Sequence, residues 1–103
     1  MSAMWHAVAA TADVTEDQPL GVKIADKEIG LYKVGGEVYA IEDVCPHAYA
    51  LLSSGCVDGD TVECPLHQAC FHIPTGKCTH PPAERDLVVY PVRIDGNRVF
   101  VQI

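Results

Sequence analysis

The sequence has few of the features that mark membrane proteins or nucleic-acid-binding proteins. It has no run of eighteen apolar residues, so we predict no transmembrane helix. Residues 1–13 lack a basic segment followed by an apolar one, so we expect no secretory signal and a cytoplasmic location. Only seven Lys and Arg stand against fourteen Asp and Glu, giving a net charge of −7. This argues against nucleic acid or an anionic membrane as a partner, and it suits a small carrier steered onto a positively charged surface.

Long helical periodicity is also missing, and the 103 residues instead show short alternating segments. We predict strands over residues 4–9, 19–24, 28–34, 37–42, 87–94 and 98–103. Gly35-Gly36 predicts a hairpin turn, and further turns are expected at Asp26-Lys27 and Asp95-Gly96. The first forty residues therefore predict an antiparallel meander, and the last seventeen a second hairpin.

The middle of the chain has a different pattern of Gly, Pro and Asp residues. We predict an all-β single domain over residues 1–103, with an antiparallel β-sandwich or barrel base formed by residues 1–42 and 83–103. Residues of about 43–82 are expected to form a small inserted subdomain that binds a metal cluster. Within it, Asp58-Gly59-Asp60 predicts a hairpin that links two ligand loops.

Two pairs of metal-ligating residues stand in this subdomain. Cys45-Pro46-His47 is followed after sixteen residues by Cys64-Pro65-Leu66-His67. Thiolate and imidazole ligands suit zinc or iron–sulfur chemistry rather than calcium or magnesium. Because each loop offers one Cys and one His, the order suits a binuclear centre in which one iron takes both thiolates and the other both imidazoles. A structural zinc site with the same four ligands is the alternative.

The pattern Cys-x-His, about sixteen residues, Cys-x-x-His resembles the Rieske signature. The chain as a whole is similar to the Rieske ferredoxins of bacterial aromatic ring-hydroxylating dioxygenase systems, including the naphthalene dioxygenase type. The residues that carry this resemblance are Trp5, Leu31-Tyr32-Lys33-Val34, Glu63-Cys64-Pro65-Leu66-His67-Gln68, Thr75-Gly76-Lys77, Pro81-Pro82 and Tyr90-Pro91-Val92-Arg93-Ile94.

The resemblance implies a Rieske fold and one [2Fe–2S] cluster, with Cys45 and Cys64 on the inner iron and His47 and His67 on the outer iron. It also implies a monomeric electron carrier, not an enzyme, that takes single electrons from a flavoprotein ferredoxin reductase to a terminal oxygenase. The alternative function is the Rieske-like small subunit of a larger redox enzyme such as assimilatory nitrite reductase.

High-potential Rieske proteins of respiratory complexes carry a Ser and a Tyr that donate hydrogen bonds to the cluster. The corresponding positions here are Ala69 and Phe71. The resemblance therefore implies a low potential, because hydrogen bonds to sulfur favour the reduced cluster.

Cysteines and histidines outside the ligand motif are expected to have ordinary packing or solvated roles. We predict that Cys56, Cys70 and Cys78 are small buried apolar side chains. A solvated or core-packed role is expected for His6, His72 and His80, although the resemblance places His80 near the cluster.

Overall fold

A computed structural model describes residues 4–16, 18–45, 50–65, 69–80 and 85–103, with only the backbone of His80 included. Eleven strands lie in these ranges: β1 Trp5–Ala10, β2 Leu20–Ile24, β3 Lys27–Val34, β4 Glu37–Glu42, β5 Cys56–Asp58, β6 Thr61–Glu63, β7 Cys70–His72, β8 Cys78–His80, β9 Val89–Tyr90, β10 Val92–Asp95 and β11 Arg98–Gln102. Short 3₁₀ helices cover Thr11–Asp13 and Leu52–Ser54. The predicted all-β class is confirmed.

The strands form three antiparallel sheets. The first has the order β1-β11-β10, the second β2-β3-β4-β9, and the third β5-β6-β7-β8. At the β3–β4 turn, Gly35 and Gly36 have φ of 58° and 85°, which glycine adopts without the steric cost of a Cβ. Two adjacent positive φ values suit a two-residue turn that matches the twist of the strands, as predicted there.

β3, in the interior of the second sheet, is buried on both faces, so this sheet lies between two cores. Ile29 and Leu31 of β3 pack with Val99 and Val101 of the first sheet. Tyr32, on the opposite face of β3, belongs to a separate core with residues of the third sheet and of the predicted ligand loops. The alternation of side chains along a strand thus serves two cores, one on each side.

Two predictions of strand pairing were wrong. β1 does not join the meander of β2, β3 and β4, but pairs with β11 at the far end of the chain, with Trp5 opposite Gln102. Alternation predicts which face a side chain takes, not which strand lies alongside. The predicted strand over residues 87–94 is two strands, β9 and β10, separated by Pro91 and paired in different sheets. Proline has no N–H to continue a ladder.

The β2–β3 turn also differs from the prediction by one residue. It lies at Ala25-Asp26, and Lys27 already belongs to β3. Ala25 has a φ of 55°, so this turn uses the left-handed region at a non-glycine residue.

The prediction that Cys56, Cys70 and Cys78 are buried was wrong. Cys56 is exposed, and Cys70 and Cys78 are half-buried. Cys56 lies opposite Glu63, and Glu63 lies opposite Cys70, so the three share the outer face of the third sheet. Cys78 packs against the edge of the core.

Candidate metal centre

Each predicted ligand cysteine opens a loop of six residues, and the two loops are closed in the same way. The amide of Cys45 donates to the carbonyl of Ala50 at 2.9 Å, and the amide of Cys64 donates to the carbonyl of Ala69 at 2.7 Å. The two loops are therefore closed by matching hydrogen bonds, with a cysteine amide at the start and an alanine carbonyl at the end.

The strands on either side hold these loops as hairpins. Val44 pairs with Leu51 around the first ligand loop (residues 45–50), in an isolated antiparallel bridge. Glu63 pairs with Cys70 around the second ligand loop (residues 64–69), at the ends of β6 and β7. The two Cys-containing motifs of the sequence thus become equivalent structural units.

Both predicted ligand cysteines lie in one core. Cys45 and Cys64 are each 2% exposed, and both belong to the core that contains Tyr32 and Phe71. Two thiols buried at the starts of matched loops suit the thiolate-bound iron of a cluster, which must be held away from water. The described residues fit that part of the predicted ligand set.

His47 and His67 lie outside the described residues, as do Pro81 and Pro82. Among the residues that the structure does describe, no three His, Cys, Asp or Glu side chains come together as a metal site. The four-ligand set therefore stays a prediction.

Gly55 brings the end of the first loop region against the second loop. A Cβ on Gly55 would lie 2.0 Å from the carbonyl oxygen of Glu63, the residue before Cys64. No side chain fits at that distance, and the obstacle is backbone rather than a flexible side chain. Position 55 therefore requires glycine, because there is no space for a Cβ atom beside the carbonyl oxygen of Glu63.

A third segment is tied to the end of β4. Arg85 donates two hydrogen bonds to Glu42, Nη1 to Oε1 at 2.8 Å and Nη2 to Oε2 at 2.6 Å. The amide of Val88 also donates to Glu42 Oε1, at 3.1 Å. The Arg85 hydrogen bond, more than any other contact, lowers the pKa of Glu42. The carboxylate is thus held ionised while it anchors residues 85–88.

A buried carboxylate that the sequence analysis did not identify as functional lies beside the first ligand loop. Asp43 is 1% exposed, and burial raises its pKa although Ser53 donates two hydrogen bonds to it. The Tyr32 hydroxyl is buried nearby without a hydrogen-bond partner in the described part of the chain, and burial followed by the Asp43 charge raises the pKa of Tyr32. The sequence feature that could have indicated a role for Asp43 is its position, as an acidic residue between an apolar strand and a predicted ligand cysteine.

Cys70 and His72, which lie outside the predicted ligand set, have ordinary surroundings. Burial, followed by the charges of Glu63 and Cys78, raises the pKa of the Cys70 thiol. His72 is partly exposed and contacts Asp60 at 3.1 Å and Thr75 at 2.8 Å, which agrees with its predicted solvated role.

Comparison with known proteins decides the family. Residues 4–91 match the model of the Rieske [2Fe–2S] domain. The chain belongs to the Rieske [2Fe–2S] domain family. A relative from Ralstonia sp, the ferredoxin component of naphthalene 1,2-dioxygenase/salicylate 5-hydroxylase systems, is 41% identical to this Rieske protein over 103 residues, covering 100% of this chain and 99% of its own.

Solved structures agree with that assignment. The ferredoxin of Sphingomonas yanoikuyae B1 has a TM-score of 0.92 and 30% identity, covering 97% of this chain and 99% of its own. A ferredoxin solved in complex with the oxygenase of carbazole 1,9a-dioxygenase has a TM-score of 0.88 and 35% identity, over 94% and 91% of the two chains. The predicted family, Rieske ferredoxins of bacterial aromatic ring-hydroxylating dioxygenase systems, is confirmed. So is the prediction of an electron-transfer component rather than an enzyme.

The predicted alternative has a structural neighbour as well. A putative NADH-dependent nitrite reductase small subunit from Mycobacterium tuberculosis has a TM-score of 0.86, covers 100% of this chain and 97% of its own, and is 24% identical. That likeness shows the fold alone.

Proposed function

We propose that this Rieske ferredoxin carries single electrons from a flavoprotein ferredoxin reductase to the terminal oxygenase of an aromatic ring-hydroxylating dioxygenase system. The observation that carries the proposal is the pair of matched loops whose cysteines are buried in one core. Relatives that match nearly the whole chain are named as ferredoxin components of such systems, and one ferredoxin neighbour was solved with its oxygenase.

The proposed ligand set is Cys45 and Cys64 for the inner iron and His47 and His67 for the outer iron of one [2Fe–2S] cluster. When bound, the cluster supplies a one-electron redox centre. The protein's own contribution is to keep the two thiols out of water and to hold both loops on rigid hairpins. Residues of about 43–82 are proposed as the cluster-binding subdomain on a base formed by residues 1–42 and 83–103. The separate third sheet supports this division.

The negative charge of this protein supports electron transfer to a partner with a positively charged surface. Between Lys33 and Lys77 the sequence contains no Lys or Arg, and the exposed Asp58 and Asp60 lie in that stretch. Complementary charge speeds the encounter of electron-transfer partners. In the described part of the chain no helix has the length and hydrophobicity of a membrane span. We propose a monomer in the cytoplasm that binds neither membrane nor nucleic acid.

Buried apolar residues at the end of the second ligand loop and just after it support a low reduction potential. Ala69 and Phe71 are both fully buried and have no hydroxyl to donate to sulfur. We expect a potential near the low end of the Rieske range, roughly −150 mV. This suits acceptance of electrons from a flavin.

The test is a low-temperature EPR spectrum of the dithionite-reduced protein, with iron and acid-labile sulfide assayed on the same sample. A rhombic signal with average g below the free-electron value, with equal iron and sulfide, is expected. Cys64→Ser should abolish that signal, whereas Cys56→Ser, at the exposed cysteine of the third sheet, should keep it. Zinc in place of iron, or loss of the signal in both variants, would contradict the proposal.

A further inference from the structure

Asp43 makes the densest set of polar contacts beside the proposed cluster, although it is not a proposed ligand. It is the one buried polar or charged residue among those described. The amide of Ser53 donates to its Oδ1 at 2.7 Å, and the Ser53 hydroxyl donates to its Oδ2 at 2.7 Å. Both carboxylate oxygens are therefore engaged by a single residue that lies beyond the first ligand loop.

The backbone of Asp43 makes two further connections. Its amide donates to the carbonyl of Glu28 in β3 at 3.0 Å, and its carbonyl accepts from the amide of Leu52 at 2.7 Å. Asp43 precedes Cys45 by two residues, and Leu52 follows Ala50 by two. One residue thus ties both ends of the first ligand loop to each other and to the second sheet.

The second sheet leaves space for the side chains of Asp43 and Ser53. Gly21 of β2 and Gly30 of β3 lie opposite each other. A Cβ on Gly21 would lie 2.9 Å from Ser53 Oγ, and one on Gly30 would lie 3.0 Å from Asp43 Oδ1. Neither glycine has a positive φ, so each provides space and not an unusual backbone conformation. The two glycines form a notch in which Asp43 and Ser53 sit.

Among the residues that the structure describes, the second ligand loop has no such anchor. The residue two before Cys64 is Val62, a fully buried side chain in the apolar core. That loop continues directly from β6 into β7, so two ladder strands hold it. In the described part of the chain, the first loop is flanked by the isolated Val44–Leu51 bridge and not by ladder strands, so its position depends more on contacts outside the loop.

We propose that Asp43 is a positioning residue for the cluster. Its carboxylate, seated with Ser53 in the notch of Gly21 and Gly30, fixes the first ligand loop on the second sheet and so fixes the Cys45 sulfur relative to the second loop. The proposal rests on the proposed function, since it assigns Asp43 to the geometry of that same site. It depends on the two hydrogen bonds with Ser53 and not on the charge of Asp43, so an Asn, which accepts through its oxygen and donates through its nitrogen to the Ser53 hydroxyl, should serve.

The test compares Asp43→Ala, Asp43→Asn and Ser53→Ala with a control, Glu37→Ala, at an exposed carboxylate of β4. Each protein is studied as purified, and the readouts are the EPR g values of the reduced protein and the rate of iron loss to a chelator. Loss of hydrogen bonds to a buried carboxylate should speed iron loss by about tenfold or more in Asp43→Ala. The g values should shift in that variant, an effect that a loss of overall stability alone would not produce.

In Asp43→Asn, Oδ1 can still accept from the Ser53 amide, and Nδ2 can donate to the Ser53 hydroxyl oxygen in place of accepting from it, so the rate of iron loss should lie within about twofold of wild type with unchanged g values. Ser53→Ala should give an intermediate rate. The proposal would be overturned if Asp43→Ala had the wild-type rate of iron loss and g values. It would also be overturned if Asp43→Asn and Asp43→Ala increased the rate of iron loss equally. If Asp43→Ala does not fold, Ser53→Ala becomes the deciding variant. An unchanged rate of iron loss and unchanged g values in Ser53→Ala would then overturn the proposal.

Failure of the proposed function is distinguishable from failure of this inference. If wild-type protein carries no iron–sulfur signal, the proposed function fails. Amide hydrogen exchange at Leu52 and Ser53 then tests the anchor by itself, because both amides donate to Asp43. Faster exchange at these two amides in Asp43→Ala than in Asp43→Asn supports the anchor, and equal exchange refutes it.

Discussion

Replacing Glu42 with Gln removes the charge from the ion pair that holds residues 85–88 to the end of β4. The shape of the side chain is kept, but Gln can accept from Arg85 through only one oxygen. In the native protein both oxygens accept from Arg85, and Oε1 accepts from the Val88 amide as well. The variant therefore tests whether this forked contact stabilises the fold.

The magnitude follows from how much water reaches the pair. The Glu42 side chain is 20% exposed and the Arg85 side chain 52%. Fully exposed pairs contribute about 0.2–1 kcal/mol, and buried charged hydrogen bonds about 1.5–3 kcal/mol. Because the arginine is half in solvent, we expect a coupling of about 1 kcal/mol between the two side chains. For a domain of this size that corresponds to about 4–5 °C in Tm.

The assay is a double-mutant cycle of Glu42→Gln, Arg85→Gln and the pair, followed by thermal unfolding. Glu37→Gln, at an exposed carboxylate on the same strand, is the control and should leave Tm unchanged. Additive effects of the two single substitutions, with no coupling, would refute the reasoning.

The stabilising contribution of Glu42 should decrease as the pH falls. The pKa of Glu42 is lowered in the folded protein, chiefly by the Arg85 hydrogen bond, from an unfolded value of about 4.3. The contribution of Glu42 is therefore fully present above that unfolded value and is lost as pH falls through the lowered folded value. The Tm difference between wild type and Glu42→Gln should be constant from about pH 5 to 8 and shrink below about pH 4. A difference that grows in acid would contradict the assigned cause.

Two further substitutions test the packing around the ligand loops. Gly55→Ala should destabilise the protein and lower its iron content, because the new Cβ would meet the backbone oxygen of Glu63. Gly96→Ala is its matched control: φ is +63° and the space is open, so only about 1 kcal/mol of backbone strain is expected, with iron content unchanged. Equal iron loss in both would show that the Gly55 contact is unimportant. Phe71→Ala empties a fully buried site and should cost about 3–5 kcal/mol of unfolding free energy, measured by denaturant titration. A cost below about 1 kcal/mol would mean that this core is loosely packed.

The sequence predicted most strands of the base, because alternation is a local pattern. The spacing of the two Cys motifs is local too, and the structure buries both predicted ligand cysteines in one core. Ile29 and Leu31 lie in one core and Tyr32 in the other, as the alternation of side chains along a strand requires. Pairing is not local: nothing near Trp5 indicates that its strand lies beside the last strand of the chain.

Exposure of single side chains was harder to predict. Cysteine is commonly buried, so Cys56 was expected inside, yet its strand has only three residues and turns that side chain outward. Asp43 shows the opposite case, because a carboxylate can be buried only when distant residues supply donors. Those donors come from Ser53, and the space comes from glycines on two other strands.

The ligand signature contains two kinds of sequence spacing, the length of each ligand loop and the length of the chain between the loops. The structure predicts that they differ in their tolerance to inserted residues. Inside each loop the Cys amide must reach a carbonyl five residues on, so a loop one residue longer or shorter would lose that bond. Between the loops the chain runs through the β5–β6 turn, where Gly59 has a φ of +62° and open space around it. Extra residues at that turn would extend into solvent and leave both loops untouched. The spacer is therefore tolerant of added residues at the β5–β6 turn, which is suited to carrying an inserted peptide tag. The six-residue loops, the first of which includes residues 48–50 of the spacer, are fixed in length.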